Sequence, residues 1–229
     1  MVSFQEEKEG LLLAMEALKI QPVEDQIEVL PSAALGDTRY AIAKVPHVPF
    51  FSHPSGQQER VTEAILGDSI FLLKEDNEHG YYFAQNAIGY LGWIKKDNAL
   101  RVNMNDLREW RSKKRALFRK SYENESTNVF IPLGAELRLD SLGNVLLPDG
   151  KTVSVPGYYY KAYQMEATTL AEDILESAKE FMNTEYVWGG VTKDGIDCSG
   201  FVQTLYRGYG VNLSRDADLA RVAGAADST

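Results

Sequence analysis

The sequence predicts an α+β protein with an N-terminal helix, two β-rich regions of short strands, and a C-terminal helical region. This prediction rests on the spacing of apolar residues. They recur at helical spacing in residues 4–20, at every second position in parts of residues 40–95 and 126–163, and at helical spacing again from residue 169. Periods of about 3.6 and 2 distinguish amphipathic helices from half-buried strands. A length of 229 residues allows one large domain or two to three small ones.

The first β-rich region, assigned to residues 37–102, contains several short aromatic strand candidates. They read RYAIAKV, DSIFLLKE, YYFAQN and GYLGWIK, with DNEHG and Gly89 supplying turns between them. Pro46, Pro49 and Pro54 indicate a loop or a sheet edge, because proline cannot donate a ladder hydrogen bond. Short, evenly spaced aromatic strands favour a small antiparallel barrel.

The remaining chain divides into three further segments. Residues 1–36 are assigned to the N-terminal helix and a linker, residues 103–165 to the second β-rich region, and residues 166–229 to the helical region. In the second β-rich region TNVFIPL, GAELRLD and NVLLP alternate, and SLGN and PDGK supply turns. The sequence NMNDLREWRSKK before them is a helical or turn connector. The aromatic cluster GYYYKAY is a weak counterpart of GYLGWIK, which predicts a second barrel.

The charge balance argues against binding to DNA or RNA. The chain has 33 acidic and 24 basic side chains and a net charge of -9, whereas a nucleic-acid binder needs a basic surface. The basic cluster in residues 111–120, RSKKRALFRK, is predicted to be a solvated helix face or a linker.

The N-terminal sequence predicts neither a signal peptide nor a membrane span. MVSFQEEKEGLLLAMEALKI carries acids where a signal peptide has basic residues, and its apolar run is short. The chain as written is therefore expected to be soluble and cytoplasmic. A signal peptide removed beforehand would change the expected location to the periplasm or the cell envelope.

The single cysteine, Cys198, stands at the start of a predicted amphipathic helix, and Asp197 is placed to be the N-cap of that helix. A helix N-terminus carries a partial positive charge that stabilises a thiolate, and burial of the apolar helix face would fix the direction of the sulfur. The alternative is a small buried hydrophobic residue. The glycine pair at 189–190 and the Ser-Gly pair at 199–200 favour a nucleophile, because a core position would have bulkier neighbours.

The residues around this cysteine form a dense and ordered motif over roughly residues 168–221. YVWGG is followed by DCSGFV, a tyrosine and GVNLSRDA. This motif resembles the NlpC-type papain-like cysteine peptidases, which hydrolyse peptidoglycan stem peptides. GYLGWIK likewise resembles the closing element of bacterial SH3-like domains, which are common attachments in that family. The resemblance implies two SH3-like β-barrels followed by the N-terminal helical part of a papain-like peptidase domain.

The combination looks most like the subgroup that cleaves the γ-D-glutamyl-L-diamino acid bond of muropeptides with N-terminal L-Ala. In this resemblance Cys198 attacks the γ-D-Glu carbonyl, and its backbone N–H and the hydroxyl of Tyr186 hold the oxyanion. The residues implied to bind substrate on the peptidase side are Asp197, Ser199, Trp188 and Asp216. The alternatives are core positions for the two aromatic residues and capping or turn positions for the acids.

The resemblance also implies that the first SH3-like domain packs over the peptidase cleft, closes it, and recognises the free amine of L-Ala. Tyr90 in GYLGW matches the family tyrosine. The glutamate most plausibly matches Glu59 in ERVTEAILGD, with Glu63 as the rival. A carboxylate that pairs with an ammonium group would select peptides with a free N-terminus. The alternative for Glu59 is a solvated surface acid.

One element of the family pattern is missing from this sequence. The family requires a histidine on a strand after the cysteine helix, but no histidine follows Cys198. His47, His53 and His79 all lie upstream, and none of them is expected to replace the base. A thiol without a base attacks weakly, so we expect a C-terminally truncated peptidase domain and an inactive chain.

Two further functions remain open at this point. The chain could be a non-catalytic module that binds cell-wall peptides through SH3-like domains, or a papain-like acyltransferase that uses the same thiol chemistry. The expected partner is a peptidoglycan-derived peptide, and neither a cofactor nor a metal is implied. The sequence does not indicate an oligomeric state.

Overall fold

The computed structural model describes residues 5–20, 24–55, 59–112, 114–162 and 171–216. Helix α1 (Gln5–Ala17) confirms the predicted N-terminal helix and has no buried side chain. Lys8 joins it to the next segment through an ion pair with Asp25, 2.8 Å from Nζ to Oδ2. Neither α1 nor any other helix in the described part of the chain is long and apolar enough to cross a membrane.

Seven antiparallel strands form one sheet inside the first predicted β-rich region. They are β1 (Tyr40–Ala43), β2 (His47–Phe51), β3 (Arg60–Ile65), β4 (Ser69–Asp76), β5 (Tyr81–Asn86), β6 (Leu91–Lys95) and β7 (Ala99–Val102). Their order across the sheet is β3-β2-β6-β5-β4-β1-β7. Val48, Phe50, Leu72 and Ile94 belong to one buried cluster of this sheet. The strands β1, β4, β5 and β6 lie on the predicted strand candidates.

The prediction of a loop or sheet edge is wrong for Pro49, because β2 lies between β3 and β6. Pro49 pairs with Glu63 of β3. On the other side β2 meets β6 at Phe51, which is opposite Trp93. Since this pairing is confined to the end of β2, the missing N–H of Pro49 is not needed there. The strand β3 was not predicted either.

Helix α2 (Met104–Ser112) confirms the predicted connector and leads into the second β-rich region. The strands there are β8 (Arg115–Phe118), β9 (Tyr122–Asn124), β10 (Val129–Ile131), β11 (Glu136–Leu139), β12 (Val145–Leu146), β13 (Thr152–Val153) and β14 (Tyr160–Ala162). Five of them form a sheet in the order β13-β12-β11-β8-β14, and β9 pairs with β10.

The prediction of a solvated helix face or linker is wrong for the second half of the basic run, which forms the buried strand β8. Arg115 is buried. Its Nη2 donates to the carbonyl of Glu136 at 2.7 Å, and its Nε lies 2.9 Å from a carboxylate oxygen of the same residue. Ala116 and Phe118 are fully buried. The basic residues therefore made a buried strand look like a solvated segment. The one basic side chain of β8, Arg115, pairs with Glu136 of β11.

Neither sheet closes into a barrel within the described residues. The strands β3 and β7 form the edges of the first sheet, and β13 and β14 form those of the second. The protein is thus a mixed α+β structure with two open antiparallel sheets, one in each predicted β-rich region.

The C-terminal region contributes two helices and a short hairpin. They are α3 (Ala171–Ala178), β15 (Val191–Thr192), β16 (Gly195–Ile196) and α4 (Cys198–Arg207). Leu205 of α4 packs in a buried cluster with Phe181, Ile196 and Leu133, the last from the second β-rich region. Residues 166–170 and 217–229 of the assigned region lie outside the described residues.

The largest buried cluster joins all three regions of the chain. It contains Ile65 from the first sheet, Trp110 from α2, Leu137 from the second sheet and Val191 from the hairpin. The indole N–H of Trp110 donates to the carbonyl of Gly67 at 3.1 Å. Because these side chains share one core, the sheets and the C-terminal region form a continuous packed body.

Candidate active site

Cys198 is the first residue of α4, and it is exposed. The prediction that Asp197 is the N-cap is confirmed, because its side chain accepts a hydrogen bond from the backbone N–H of Gly200 at 2.7 Å. Leu205 is buried on the same helix. The thiol is therefore presented to solvent at the positive end of a helix whose far side is anchored in the core.

Asp197 does more than cap the helix. Its other oxygen accepts a hydrogen bond from the N–H of Gly189 at 2.8 Å, so one carboxylate holds both α4 and the loop before it. Both oxygens also accept from the guanidinium of Arg215, and the hydroxyl of Ser199 lies 3.3 Å from Oδ1. A carboxylate has about four lone-pair sites, so these donors fill its capacity.

The pKa of the Asp197 carboxyl lies below its ordinary value. Burial raises this pKa, but the hydrogen bond and charge of Arg215 and the N–H groups of Gly200 and Gly189 outweigh burial and lower it. Asp197 is therefore held as a carboxylate.

The glycines of the motif allow four backbone segments to approach one another closely around the start of α4. A Cβ on Gly190 would lie 2.3 Å from the carbonyl oxygen of Gly195. A Cβ on Gly200 would lie 2.2 Å from the carbonyl oxygen of Gly190, and one on Gly189 would lie 2.8 Å from the carbonyl oxygen of Arg60. Side chains cannot occupy these sites without moving the backbone, which explains the YVWGG and CSG sequences in steric terms.

Arg215 is the main residue of this site that the sequence analysis missed. It is buried, with 5% of its side chain exposed, and its Nη1 donates to Oδ1 of Asp197 at 2.9 Å and to Oγ of Ser199 at 2.6 Å. Arg215 belongs to the SRDA motif, in which Asp216 was the predicted site residue. No periodicity or cap pattern connects residue 215 to residue 197, so the sequence carried no local signal for this contact.

Tyr186 and Trp188 lie on the surface beside the loop that Asp197 holds. Tyr186 forms an isolated parallel bridge with Ile196, next to Asp197. The two aromatic side chains are 61% and 62% exposed, so the alternative of core aromatic positions is wrong for both. Both aromatic rings are exposed and therefore available to contact a ligand.

Tyr90 and Asp216 lie far apart in the sequence, but their side chains form a hydrogen bond. Burial, followed by a hydrogen bond to Asp216 and the negative charge of that residue, raises the pKa of Tyr90 to about 12. The charge of Asp197 acts in the same direction, and that of Arg215 opposes it. Tyr90 therefore remains a neutral hydroxyl beside the acidic group and joins the first sheet to the segment after α4.

Glu63, the rival of Glu59, is buried on β3 and reaches the loop before Cys198. Its Oε2 accepts a hydrogen bond from the N–H of Val191 at 3.0 Å, and Arg60 forms an ion pair with its Oε1 at 2.8 Å. Burial raises the pKa of the Glu63 carboxyl, against the opposing charge of Arg60. Glu63 also lines a cavity between the first sheet and α4, together with Val191 and Thr204.

Glu59 occupies a different environment from Glu63. It is exposed just before β3, and its main-chain carbonyl accepts from the N–H of Ser52 at 2.9 Å. The two glutamates thus differ in burial and in their partners.

The three histidines contact groups other than Cys198 within the described residues. The Nδ1 of His47 lies 3.5 Å from Asp194, and that of His79 lies 2.9 Å from Asp76. His53 contacts the hydroxyl of Ser52 at 3.0 Å. The hydrogen bond to Asp76 raises the pKa of His79. In the described part of the chain, no group of three or more His, Cys, Asp or Glu residues could hold a metal ion.

Comparison with known proteins identifies the C-terminal sequence. Residues 183–228 match the model of the NlpC/P60 family. The chain is 28% identical over 179 residues to a γ-D-glutamyl-L-lysine dipeptidyl-peptidase of Bacillus cereus, which covers 68% of the chain and 52% of that relative. An enzyme of the same name from Bacillus subtilis is 40% identical over 47 residues, 20% of the chain and 16% of the relative. The chain thus spans about half the length of the first of these relatives and less of the second.

A solved structure shows the same fold. An NlpC/P60 family protein from Bacillus cereus has a TM-score of 0.66 at 19% identity, and the alignment covers 79% of this chain and 76% of that one. The family model thus matches the C-terminal residues 183–228, and the solved structure shares the fold over 79% of the chain.

Proposed function

We propose that this chain, as a homologue of NlpC/P60 peptidases, carries the nucleophile half of a cysteine peptidase that acts on peptidoglycan stem peptides. The bond we assign to it is the γ-D-glutamyl-L-diamino acid bond of peptides that begin with L-Ala. Its relatives named γ-D-glutamyl-L-lysine dipeptidyl-peptidase support this assignment. We further propose that the two open sheets correspond to SH3-like domains, on the basis of their short aromatic strands and the GYLGW sequence.

The observation that carries the proposal is the exposed Cys198 at the N-terminus of α4, where the side chain of Asp197 caps the helix. The N–H of Cys198 is one of the first-turn donors that have no partner within the helix, so it can point at a developing oxyanion. In the proposed reaction the thiolate attacks the γ-carbonyl of D-Glu, and the oxyanion lies near this N–H and near Tyr186.

The acidic groups around Tyr90 support recognition of a free N-terminus. Asp216 accepts a hydrogen bond from Tyr90, and Glu63 lies buried at the same junction between the first sheet and the C-terminal region. We assign the ammonium contact to Glu63 rather than to Glu59, because burial strengthens an ion pair and Glu59 is exposed. Asp216 is exposed, and we assign it to the same contact because it accepts a hydrogen bond from Tyr90. Asp197 is left out of this contact, since its oxygens are already filled.

We propose that the 229-residue chain does not turn over substrate without an added base. No histidine follows Cys198, and the three upstream histidines pair elsewhere. A thiolate at a helix N-terminus can still be alkylated, because the halide leaves as an anion and alkylation needs no proton donor of the kind that a leaving amine requires. Substrate binding and thiol reactivity can therefore be tested apart from hydrolysis.

The test is affinity labelling of the full chain with a chloromethyl ketone in which L-Ala-γ-D-Glu replaces the part of the substrate before the scissile bond. The thiolate displaces chloride and forms a thioether. We expect saturable labelling of Cys198 that is about tenfold faster for the free amine than for the N-acetylated compound, since a buried ion pair contributes more than 1 kcal/mol. Cys198→Ser is the matched control and should not be labelled.

Three results would contradict the proposal. Labelling without saturation would mean that no substrate site surrounds the thiol. Saturable binding of the peptide with an unreactive thiol would instead favour the non-catalytic binding module. Hydrolysis of L-Ala-γ-D-Glu-L-Lys by the wild type, lost in Cys198→Ser, would disprove the proposed inactivity but not the role of Cys198.

A further inference from the structure

We propose that Arg215 is a positioning residue for the nucleophile, which it holds through Asp197. The inference rests on the proposed role of Cys198, but it concerns a different question, namely what keeps the thiol in a reactive geometry. Arg215 does not need to touch substrate for this role. Its effect passes through one carboxylate to the two backbone segments that flank the thiol.

The contact between the two side chains is bidentate and buried. Nη1 and Nη2 of Arg215 donate to different oxygens of Asp197, and the exposed fractions of the two side chains are 5% and 7%. Nη1 also donates to the hydroxyl of Ser199 at 2.6 Å. A planar guanidinium that binds both oxygens fixes the plane of the carboxylate as well as its position.

Fixing that plane matters because each oxygen of Asp197 binds a different segment. Oδ1 accepts from the N–H of Gly200 in the first turn of α4, while Oδ2 accepts from the N–H of Gly189 in the loop that carries Trp188. A rotation of the carboxylate would break one bond or the other. Arg215 therefore sets the position of the cysteine relative to the aromatic loop.

Arg215 also sets the charge next to the thiol. Asp197 precedes Cys198 and is ionised, so without a cation its negative charge would oppose formation of a thiolate. Removing one partner of a buried ion pair leaves an uncompensated charge, which costs more than the pair itself contributes. The same guanidinium thus keeps the helix cap in place and neutralises it.

The chain offers a matched control at the other end of α4. Arg207 also makes a bidentate contact with an aspartate, Asp68 in the turn between β3 and β4, and donates to the carbonyl of Gly134 at 3.0 Å. This pair joins the last turn of α4 to both sheets but does not contact the residues around Cys198. Loss of either arginine should lower the stability of the fold, while only loss of Arg215 should change the reactivity of the Cys198 thiol.

The experiment measures the second-order rate of alkylation of Cys198 by iodoacetamide at pH 7 in the full chain. The variants are Arg215→Met, Arg215→Lys, Asp197→Asn, the double variant Arg215→Met/Asp197→Asn, and Arg207→Met. Near-UV circular dichroism and a urea titration of each variant define the conditions in which it is folded.

We expect Arg215→Met to react about tenfold more slowly than the wild type, because the uncompensated carboxylate of Asp197 would oppose formation of the thiolate and the cap that positions Cys198 would lose its cation. The alkylation profile should also move to higher pH. Arg215→Lys should fall between the two, since an ammonium keeps the charge but not the fork. Arg207→Met should react within about twofold of the wild-type rate, since the charge of Arg207 lies at the opposite end of α4 from the thiol.

The double variant distinguishes a role through Asp197 from an independent one. If Arg215 acts through Asp197, the double variant is no slower than the slower single variant, because interacting residues are not additive. If the rate reductions of the two single variants multiply in the double variant, the inference is overturned. Equal reductions of the alkylation rate in Arg215→Met and Arg207→Met would overturn it as well. If Arg215→Met does not fold, Arg215→Lys decides the matter, since wild-type reactivity would exclude a need for the bidentate contact.

The proposed function fails in a different way. If wild-type Cys198 reacts no faster than free cysteine, Cys198 is not an activated nucleophile. If the wild type reacts fast and Arg215→Met is unchanged, only the positioning role is wrong.

Discussion

At the residue scale, the site shows how one carboxylate can serve several backbone groups. Asp197 was identified from sequence as a helix cap, and that prediction is confirmed. Its second bond, to Gly189, and its cation, Arg215, were not foreseen. The carboxylate can accept all these donors because a glycine at positions 189, 190 and 200 lets the backbones approach closely. The small residues around Cys198 are therefore explained by packing of main chain against main chain.

Gly200→Ala should be strongly destabilising at this scale. The new Cβ would lie 2.2 Å from the carbonyl oxygen of Gly190, so the loop or the helix must move. We expect a loss of about 1–3 kcal/mol in the free energy of unfolding, typical of overpacking, despite the better helix propensity of alanine. Urea unfolding followed by circular dichroism measures this change.

The matched control is Gly10→Ala in α1, where a Cβ meets nothing within 4 Å. It should leave the free energy of unfolding unchanged or raise it by at most about 1 kcal/mol, as expected for an exposed helix position. Equal effects of the two substitutions would contradict the steric explanation.

At the scale of elements, strand β3 connects the first sheet to the loop before Cys198. Glu63 makes this connection through the N–H of Val191, a bond between residues 128 positions apart. The sequence analysis did not predict β3, and it ranked Glu63 below Glu59. Strand β8 was missed because a basic run was interpreted as solvated. In both cases the strand is buried by partners that lie elsewhere in the chain, which overrides the local pattern.

Glu63→Gln should change how stability depends on pH. Burial raises the pKa of Glu63 above its ordinary value, so the folded chain keeps its proton at pH values where the unfolded chain has released it. Stability from this group is therefore present below the unfolded pKa and falls as the pH rises towards the folded pKa. The glutamine variant lacks this fall, so its stability relative to the wild type should increase as the pH rises from 4 to 7.

Urea midpoints at a series of pH values provide the measurement, and Glu59→Gln is the control at an exposed site on the same segment. The other acids titrate in both proteins and cancel in the difference. A wild type and a Glu63→Gln variant with parallel pH profiles would show that Glu63 is not desolvated in the folded protein.

At the scale of the whole molecule, the three regions share one core. Leu137 of the second sheet is fully buried, and its side chain lies against Gly67, in the turn between β3 and β4. Arg207 binds Asp68 in the same turn and Gly134 in the second β-rich region. The cysteine helix is therefore held by both sheets at once, which fixes its position relative to Tyr90.

Leu137→Ala should destabilise both sheets together. A buried leucine truncated to alanine costs about 2–5 kcal/mol, and here the cavity would open at the junction of the sheets. Hydrogen exchange should show reduced protection for amides of β4 and β5 in the first sheet as well as for β11. Leu142→Ala, at an 86% exposed leucine, is the control and should have no effect. Unchanged protection in the first sheet would mean that the sheets unfold independently.

Local patterns were sufficient to predict α1, the aromatic strands of the first sheet, the start of α4 and the cap at Asp197, and they predicted a helical or turn connector where α2 lies. Each of these depends on periodicity, turn residues or capping within a few positions, where neighbours in sequence are also neighbours in space. The motif around Cys198 likewise predicted a nucleophile at this position, and this role stays a prediction. The pairing of Arg215 with Asp197, of Glu63 with Val191 and of Tyr90 with Asp216 required the folded chain. These contacts depend on how α4 packs against the two sheets. Packing brings together residues that are far apart in the sequence, and no local sequence pattern relates their positions.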